Sequence, residues 1–446
     1  MAKIDANDNS VALELDWLEE TIVRRINHYF QKEGGESADP FLPAPDLSNW
    51  SDAYASFVKE KNFNIEERLC IILSLVPLLR PQMLDCMNIR NSDTGRRFVE
   101  FGCKEPSEGR SLVPTLETLL FILDETEMDA RISHACFFTD HPFLSIHCLR
   151  TDYADSCGYS ATTLTPSQEL VDKVVYGRAF KPKYSFDFPA KRMDTNRKWE
   201  DLILDDNTRE QVDEIRLWVQ YGGRVREEWG LQNILRPGYR ALFYGPPGSG
   251  KTMTASLLGQ VTGKDVYRID LSSVVSKYIG ETEKNLGKLF SMAEDKEWIL
   301  FFDEADSLFG KRTGIKDSHD RYANQEVSYL LQRIEDYHGL VVLSTNQKAN
   351  IDEAFARRFQ SVIKFPMPDA VHRKAIWTSA FSNSTSFEDS ISWDEIAAKY
   401  ELTGGAIMNV VQYSSVMAMS RGETVILLKD ILKGIHREYH KEGKMI

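Results

Sequence analysis

Residues 240–252, RALFYGPPGSGKT, decide the reading of this chain: a short apolar run leads directly into a glycine-rich octapeptide, Gly245 to Thr252, and a helical pattern follows. A loop of this kind holds an anion by turning successive backbone N–H groups inward, and Gly245, Gly248 and Gly250 supply dihedrals that a Cβ would resist. Pro246, Pro247 and Ser249 complete the loop, and Lys251 opens the helix that continues through Met253. There its ammonium reaches the β- and γ-phosphates of a nucleotide and the helix dipole adds a favourable field, while the Thr252 hydroxyl is offered to Mg²⁺. The flanking strand and helix separate this motif from an ordinary glycine-rich turn.

Working outward, the chain beyond the loop alternates strand and helix, which argues for a parallel sheet covered on both faces. Strands are expected near Ala241–Tyr244, Val266–Ile269, Ile299–Phe302, Val341–Ser344 and Val362–Phe365. The apolar run Ile299–Phe302 delivers Asp303 and Glu304 at its carboxyl end, where open α/β sheets bind their ligands. Asp303 is suited to hold Mg²⁺, directly or through water, because a hard cation takes oxygen ligands. Glu304 is placed to orient or deprotonate an attacking water. A whole strand and helix unit containing VYRIDLSSVV separates the loop from the acidic strand, and a later strand ends in Ser344, Thr345 and Asn346. Asn346 is therefore expected between the two, its amide able to bond both the water and the γ-phosphate.

The remaining sequence bounds the class. The 446 residues, 42% hydrophobic and 27% charged, fit a multidomain globular protein. The densest apolar run, Leu69–Leu79, contains Pro77 and is about half the length of a membrane span. The first residues, MAKIDANDNS, lack a basic and then apolar leader, so the expectation is a cytoplasmic protein without a membrane partner. All six cysteines precede residue 160 without a CxxC pair, which favours reduced thiols over a disulfide framework. His134, Cys136, His141, His147 and Cys148 crowd together but read as interior residues rather than a zinc site. Net charge is −13, and residues 1–190 carry 19 Lys+Arg against 30 Asp+Glu. That sign opposes phosphate neutralisation, so nucleic acid is not an expected partner.

Four regions follow: a mostly helical amino-terminal domain over 1–158, a linker over 159–196 rich in Lys, Pro and aromatic residues, an α/β subdomain over 197–366 and a small helical domain over 367–446. In the first, Leu15, Leu18, Ile22, Ile26 and Tyr29 recur at helical spacing, Asn64 with Glu67 forms a capping-box pattern, and Pro114 opens a further helix through Ile122.

Residues 199–440 resemble the AAA+ ATPases through GPPGSGKT, FFDEAD, STN at 344–346, IDEAFARRF at 351–359 and TGGAI at 403–407, in that order. The resemblance implies a doubly wound P-loop core with a carboxy-terminal helical lid, binding ATP and Mg²⁺ and assembled as a homo-oligomeric ring, usually a hexamer. It implies that Arg357 and Arg358 are arginine fingers reaching the γ-phosphate of a neighbouring subunit, joining Lys251, Glu304 and Asn346 in the catalytic set. Gly404 and Gly405 correspond to lid glycines that approach the adenine, and Asp201 in WEDLIL to the segment lining the base pocket. The lid helix begins AIMNVV and lacks the sensor arginine found in many members. Lys277, Tyr278 and Ile279 resemble the first pore loop of substrate-threading rings, with Tyr278 projecting into the channel to grip a polypeptide; GKRTGIKDSHDRYAN stands in the position of a second pore loop. The neighbourhood as a whole is similar to bacterial single-ring ATPases encoded with extracellular contractile injection systems. The expected activity is ATP-driven remodelling of a protein substrate. The competing readings are a nucleotide-switched assembly scaffold that does not thread and a nucleic-acid motor or loader.

Overall fold

The structure, a computed structural model, describes residues 9–31, 42–105, 111–123, 149–150, 162–178, 180–185, 188–271, 281–294, 296–305, 328–346, 356–382 and 384–444. The chain divides into two compact units, Met1–Lys181 and Pro182–Ile446.

In the amino-terminal unit, the helix Ser10–Gln31 buries Leu15, Leu18, Ile22 and Ile26, the stripe its spacing predicts. Tyr29 continues that stripe and meets Phe98, Phe101 and Phe121 edge-on at 5.9, 5.5 and 5.7 Å. Asp52 caps the helix Ala53–Lys61 by accepting from the Ala55 N–H. The capping box of Ile65–Leu79 closes in both directions: Asn64 Oδ1 accepts from Glu67 N at 2.8 Å, and Glu67 Oε2 accepts from Asn64 N at 2.7 Å. Leu69 to Val76 are all buried, so this helix is covered on every side, and Pro77 falls in its last turn. Its Arg68 reaches across to the fully buried Glu14, with Nε donating to Oε1 at 3.0 Å. A shorter helix, Leu116–Ile122, starts at Thr115. Cys70, Cys86 and Cys103 are free thiols. The crowded group His134, Cys136, His141, His147 and Cys148 lies outside the described residues.

The expected linker is not a connector throughout. Strand β1 (Leu149–Arg150) pairs antiparallel with β2 (Thr165–Pro166), and Ser167 then caps the helix Gln168–Val174. Leu170, Val171 and Val174 of that helix join the amino-terminal core, and the division between the units falls at 181, within 159–196. A seven-residue helix offers too few apolar positions for a period to show. Further on, Ala190–Met193 forms β3 at the edge of the main sheet, with Phe188 packed edge-on against Tyr267 at 5.5 Å. Its Lys and Arg residues, which gave the segment a linker-like composition, are those an edge strand carries against further pairing.

That sheet has six strands in the order β3-β5-β6-β7-β4-β8, with β4 Tyr239–Tyr244, β5 Val266–Asp270, β6 Ile299–Asp303, β7 Leu340–Thr345 and β8 Ser361–Lys364. Pairings from β5 to β8 are parallel; β3 alone runs antiparallel. The strand period of two sorts the side chains onto opposite faces. Leu242, Tyr267, Ile269, Leu300, Phe302, Val341 and Leu343 pack with Leu286, Leu289 and Phe290 on one side. On the other, Ala241, Phe243, Val266, Ile299, Phe301, Leu340 and Val342 pack with Val212, Ile215, Ala255 and Leu258. Burial on both faces is why these strands read as unbroken apolar runs.

The lid has its own core, in which Trp377, Ile396, Leu402, Ile407, Val410, Ile431 and Ile435 are buried among four helices: Ala370–Ala380, Trp393–Lys399, Gly404–Ser420 and Leu428–Lys441. It also contains an unexpected parallel pair, β9 (Ser386–Phe387) with β10 (Val425–Ile426), each too short for alternation to show.

Candidate active site

The strand order determines where the polar residues meet. From β4 the chain crosses over β7 and β6 to β5, whereas from β7 it passes β4 to reach β8; connections leaving adjacent strands in opposite directions open a crevice at their carboxyl ends. Tyr244 lies opposite Thr345 and Asp270 opposite Asp303, so the ends are flush and the loop 245–250, Asn346 and the acid pair face one space. A cavity of about 740 Å³ opens there, lined by Pro247 to Met253, Asp303, Glu304 and Asn346, and also by Asp201 to Asp205, Ile376, Ala380, Gly404, Gly405 and Met408. Strand β7 lies between β4 and β6, as the sequence order predicts for Asn346.

Backbone geometry explains the loop composition. Gly245 has φ 153°, and a Cβ there would stand 2.0 Å from the Phe365 carbonyl oxygen at the end of β8. Gly248 has φ 77°, in the left-handed region, and a Cβ would meet Thr403 Oγ1 at 2.8 Å. Lys251 begins the helix Lys251–Thr262 and is 6% exposed. Its Nζ donates to the carbonyls of Gly245 (2.8 Å) and Pro246 (3.0 Å) and to Asn346 Oδ1 (3.1 Å). Lysine and asparagine, 95 residues apart, thus converge on the same point above the loop.

Asp303 divides its carboxylate between two neighbours: Oδ1 accepts from the Glu304 N–H at 3.1 Å, and Oδ2 pairs with Arg268 Nη2 at 3.0 Å. Glu304 has φ 52°, a left-handed conformation that costs a non-glycine residue roughly 1–2 kcal/mol. The hydrogen bond to Asp303 helps to hold it, and the resulting kink leaves the Glu304 side chain exposed at the cavity wall. Residues with oxygen donors suited to a hard cation are gathered beside the loop: both Thr252 and Asp303 line the cavity. Ser249 Oγ, buried in the same wall, has no hydrogen-bond partner among the described residues. These residues fit Mg²⁺ with a nucleotide phosphate chain.

The lid contributes to the cavity and also packs on the loop. Gly404 and Gly405 do line it, but their tight contact is with the phosphate loop. Gly405 N donates to Gly248 O at 3.0 Å, and a Cβ on Gly405 would stand 3.0 Å from Gly248 Cα. Loop packing therefore explains why Gly405 is a glycine. Asp201 also lines the cavity, yet its Oδ2 accepts from Lys198 N at 2.7 Å and closes the 3₁₀ turn Trp199–Asp201. The carboxylate shapes the segment, and Leu202, Ile203 and Leu204 line the cavity beside it.

Neither Arg357 nor Arg358 lines the cavity. Arg357 is exposed, and Arg358, 40% exposed, pairs with Glu335 at 3.1 Å. Lys277, Tyr278 and Ile279 lie outside the described residues, as does the second pore-loop segment. Sequence reasoning missed Arg197, His372 and Arg268. His372 lines the cavity from the lid, where Asp369 Oδ1 accepts from its backbone N–H at 2.9 Å and lies 2.7 Å from Nδ1. These bonds to His372 hold the Asp369 carboxyl below its ordinary range. Only the sequence PD before the helix hinted at this, as a cap.

A phosphate loop, an acid pair at a neighbouring strand end and an amide between them define a P-loop nucleoside triphosphatase. Residues 241–367 match the family described as ATPase family associated with various cellular activities (AAA). The chain carries an AAA ATPase domain, and that domain is an ATP hydrolase. Similar proteins include cell division protein C of Sulfolobus acidocaldarius, 35% identical over 38% of this chain and 48% of the relative. A proteasome-activating nucleotidase of Methanoregula boonei is 30% identical over 53% of this chain and 58% of its own. A cell division cycle protein 48 homolog of Archaeoglobus fulgidus is 29% identical over 56% of this chain and 33% of its own. The chain spans about half the length of most of the relatives it matches.

Proposed function

We propose that this protein is a ring-forming ATPase, acting in the cytoplasm as a homo-oligomer, usually a hexamer, that uses ATP hydrolysis between subunits to remodel a protein substrate. The observation that carries this reading is the separation of Arg357 and Arg358 from the cavity that holds Lys251, Asp303, Glu304 and Asn346. A γ-phosphate gathers charge as its bond to the β-phosphate breaks, and a guanidinium supplied from another copy is the means of offsetting it.

In the reaction, the loop amides and Lys251 hold the phosphates, and Thr252 with Asp303 would hold Mg²⁺, which neutralises phosphate charge when bound. Glu304 orients the attacking water and accepts its proton as the water oxygen bonds to the γ-phosphorus. The bond to the β-phosphate oxygen breaks, leaving ADP and inorganic phosphate. Asn346 bonds water and γ-phosphate, and Arg357 and Arg358 arrive from the neighbouring subunit. Tyr278, flanked by Lys277 and Ile279, grips the polypeptide. The likeness to proteasome-activating nucleotidases supports a protein substrate. A narrower reading, service of a contractile injection particle, rests on the resemblance of the sequence around the loop, pore and arginine motifs.

Arg358→Ala tests the seam. Its ATPase rate should fall on the order of 10³-fold or more, and mixing it with Glu304→Gln subunits should restore part of the activity, because each lesion lies on a different side of the seam. A lack of rescue in mixed assemblies refutes the shared site. Proteins captured by Glu304→Gln in ATP would identify the substrate; recovery of tail-sheath or tube subunits supports the narrower reading.

A further inference from the structure

Beyond the groups assigned to hydrolysis, one cation stands beside the metal ligands without a role. Arg268 is on β5, and Val266, Arg268 and Asp270 share the face of the sheet that packs on the Lys251–Thr262 helix, as shown by Val266 lying with Ala255 and Leu258. Asp303 projects from the same face of β6, in register with Asp270. Two carboxylates therefore end adjacent strands side by side, and the Arg268 guanidinium lies 3.0 Å from one of them.

We propose that Arg268 is a tethered cation of the ATP site that holds Asp303 Oδ2 in competition with magnesium, so that the metal gains the carboxylate only in exchange. The inference rests on the site being an Mg-ATP site and concerns how its metal requirement is set. Asp303 has two oxygens, and Oδ1 is engaged with the Glu304 N–H that helps to hold the left-handed φ of 52°. A metal that took Oδ1 would loosen Glu304; Oδ2 is the oxygen that can change partner. Arg268 can release it cheaply, because its side chain is 44% exposed and finds water on leaving, whereas Asp303, at 16%, stays where it is. Removing the guanidinium takes a positive charge from beside the Asp303 carboxylate and makes the space more attractive to a divalent cation. Arg268 acts through Asp303 and is a positioning residue.

The experiment is a Mg²⁺ titration of the full chain with a fluorescent ADP analogue, reading the concentration at which magnesium half-maximally tightens nucleotide binding. Arg268→Gln should lower that concentration about two- to fivefold, the range of a half-exposed ion pair. Arg268→Lys, which keeps the charge, should stay within about twofold of wild type. Nucleotide-free melting should be nearly the same for all three proteins; a purely structural ion pair would move melting and leave the Mg²⁺ midpoint alone. An unchanged or raised midpoint in Arg268→Gln, or an equal shift in Arg268→Lys, overturns the proposal while leaving the ATP site intact. Absence of any Mg²⁺ effect in the wild-type protein overturns both this inference and the reading of the site on which it rests.

Discussion

The two units contain charged groups on opposite terms. In the amino-terminal unit, Glu14 is fully buried on one helix and paired with Arg68 on another, whose Nη2 also donates to the Pro45 carbonyl at 2.7 Å. In the ATPase unit, Asp303, Glu304 and Asn346 at strand ends and Lys251 at a helix start stand around a cavity. The first set faces only the chain itself; the second faces a space that a ligand can fill. Burial of a charge is therefore a poor guide to chemistry in this molecule, and position at the carboxyl edge of a parallel sheet is a good one.

Substitutions test that contrast. The largest effect is expected for Glu304→Gln, which should lower turnover by about 10²- to 10⁴-fold while ATP still binds, as measured by steady-state hydrolysis beside equilibrium binding. Normal turnover would remove Glu304 from its role. Lys251→Ala should weaken nucleotide binding by about 100-fold, since a charge-assisted contact to the phosphates is lost, with little change in nucleotide-free melting. Arg68→Ala should do the reverse: leaving Glu14 buried without its partner costs about 3–5 kcal/mol of stability, while nucleotide affinity stays at the wild-type value. A large loss of affinity in that variant would break the contrast between the units.

The smallest effect concerns Glu14 itself. Burial raises its pKa above the ordinary value of 4.5, with Arg68 opposing in part, so the folded state retains a proton that the unfolded chain releases. Its contribution to stability is thus greatest below pH 4.5 and declines as pH rises through the raised folded value. Glu14→Gln should flatten the pH dependence of denaturant unfolding over that window; an unchanged slope would show that Glu14 does not titrate there.

How much the sequence disclosed follows from the same physics. The parallel strands were legible because burial on both faces writes them as solid apolar runs, and Asp303, Glu304 and Asn346 because they directly follow such runs. The strand β3 was obscured by Lys191 and Arg192, which an edge strand tolerates and a linker also contains. The helix Gln168–Val174 and the β9 and β10 pair were too short for a period to emerge. The partner of Gly405 lies 157 residues away in the phosphate loop, and no local pattern encodes such a meeting. Arg268 was passed over because its meaning depends on the register that brings β5 beside β6.

The grip on the phosphate loop has a consequence for how the protein is made. Gly245 presses on the Phe365 carbonyl, and Gly248 accepts from Gly405, so the cradle takes its shape from chain that leaves the ribosome more than 100 residues after it. A nascent polypeptide halted between 253 and 365 would display the whole GPPGSGKT signature without the surfaces that brace it. Competence to capture nucleotide should arise late in synthesis, which guards against half-made subunits consuming ATP.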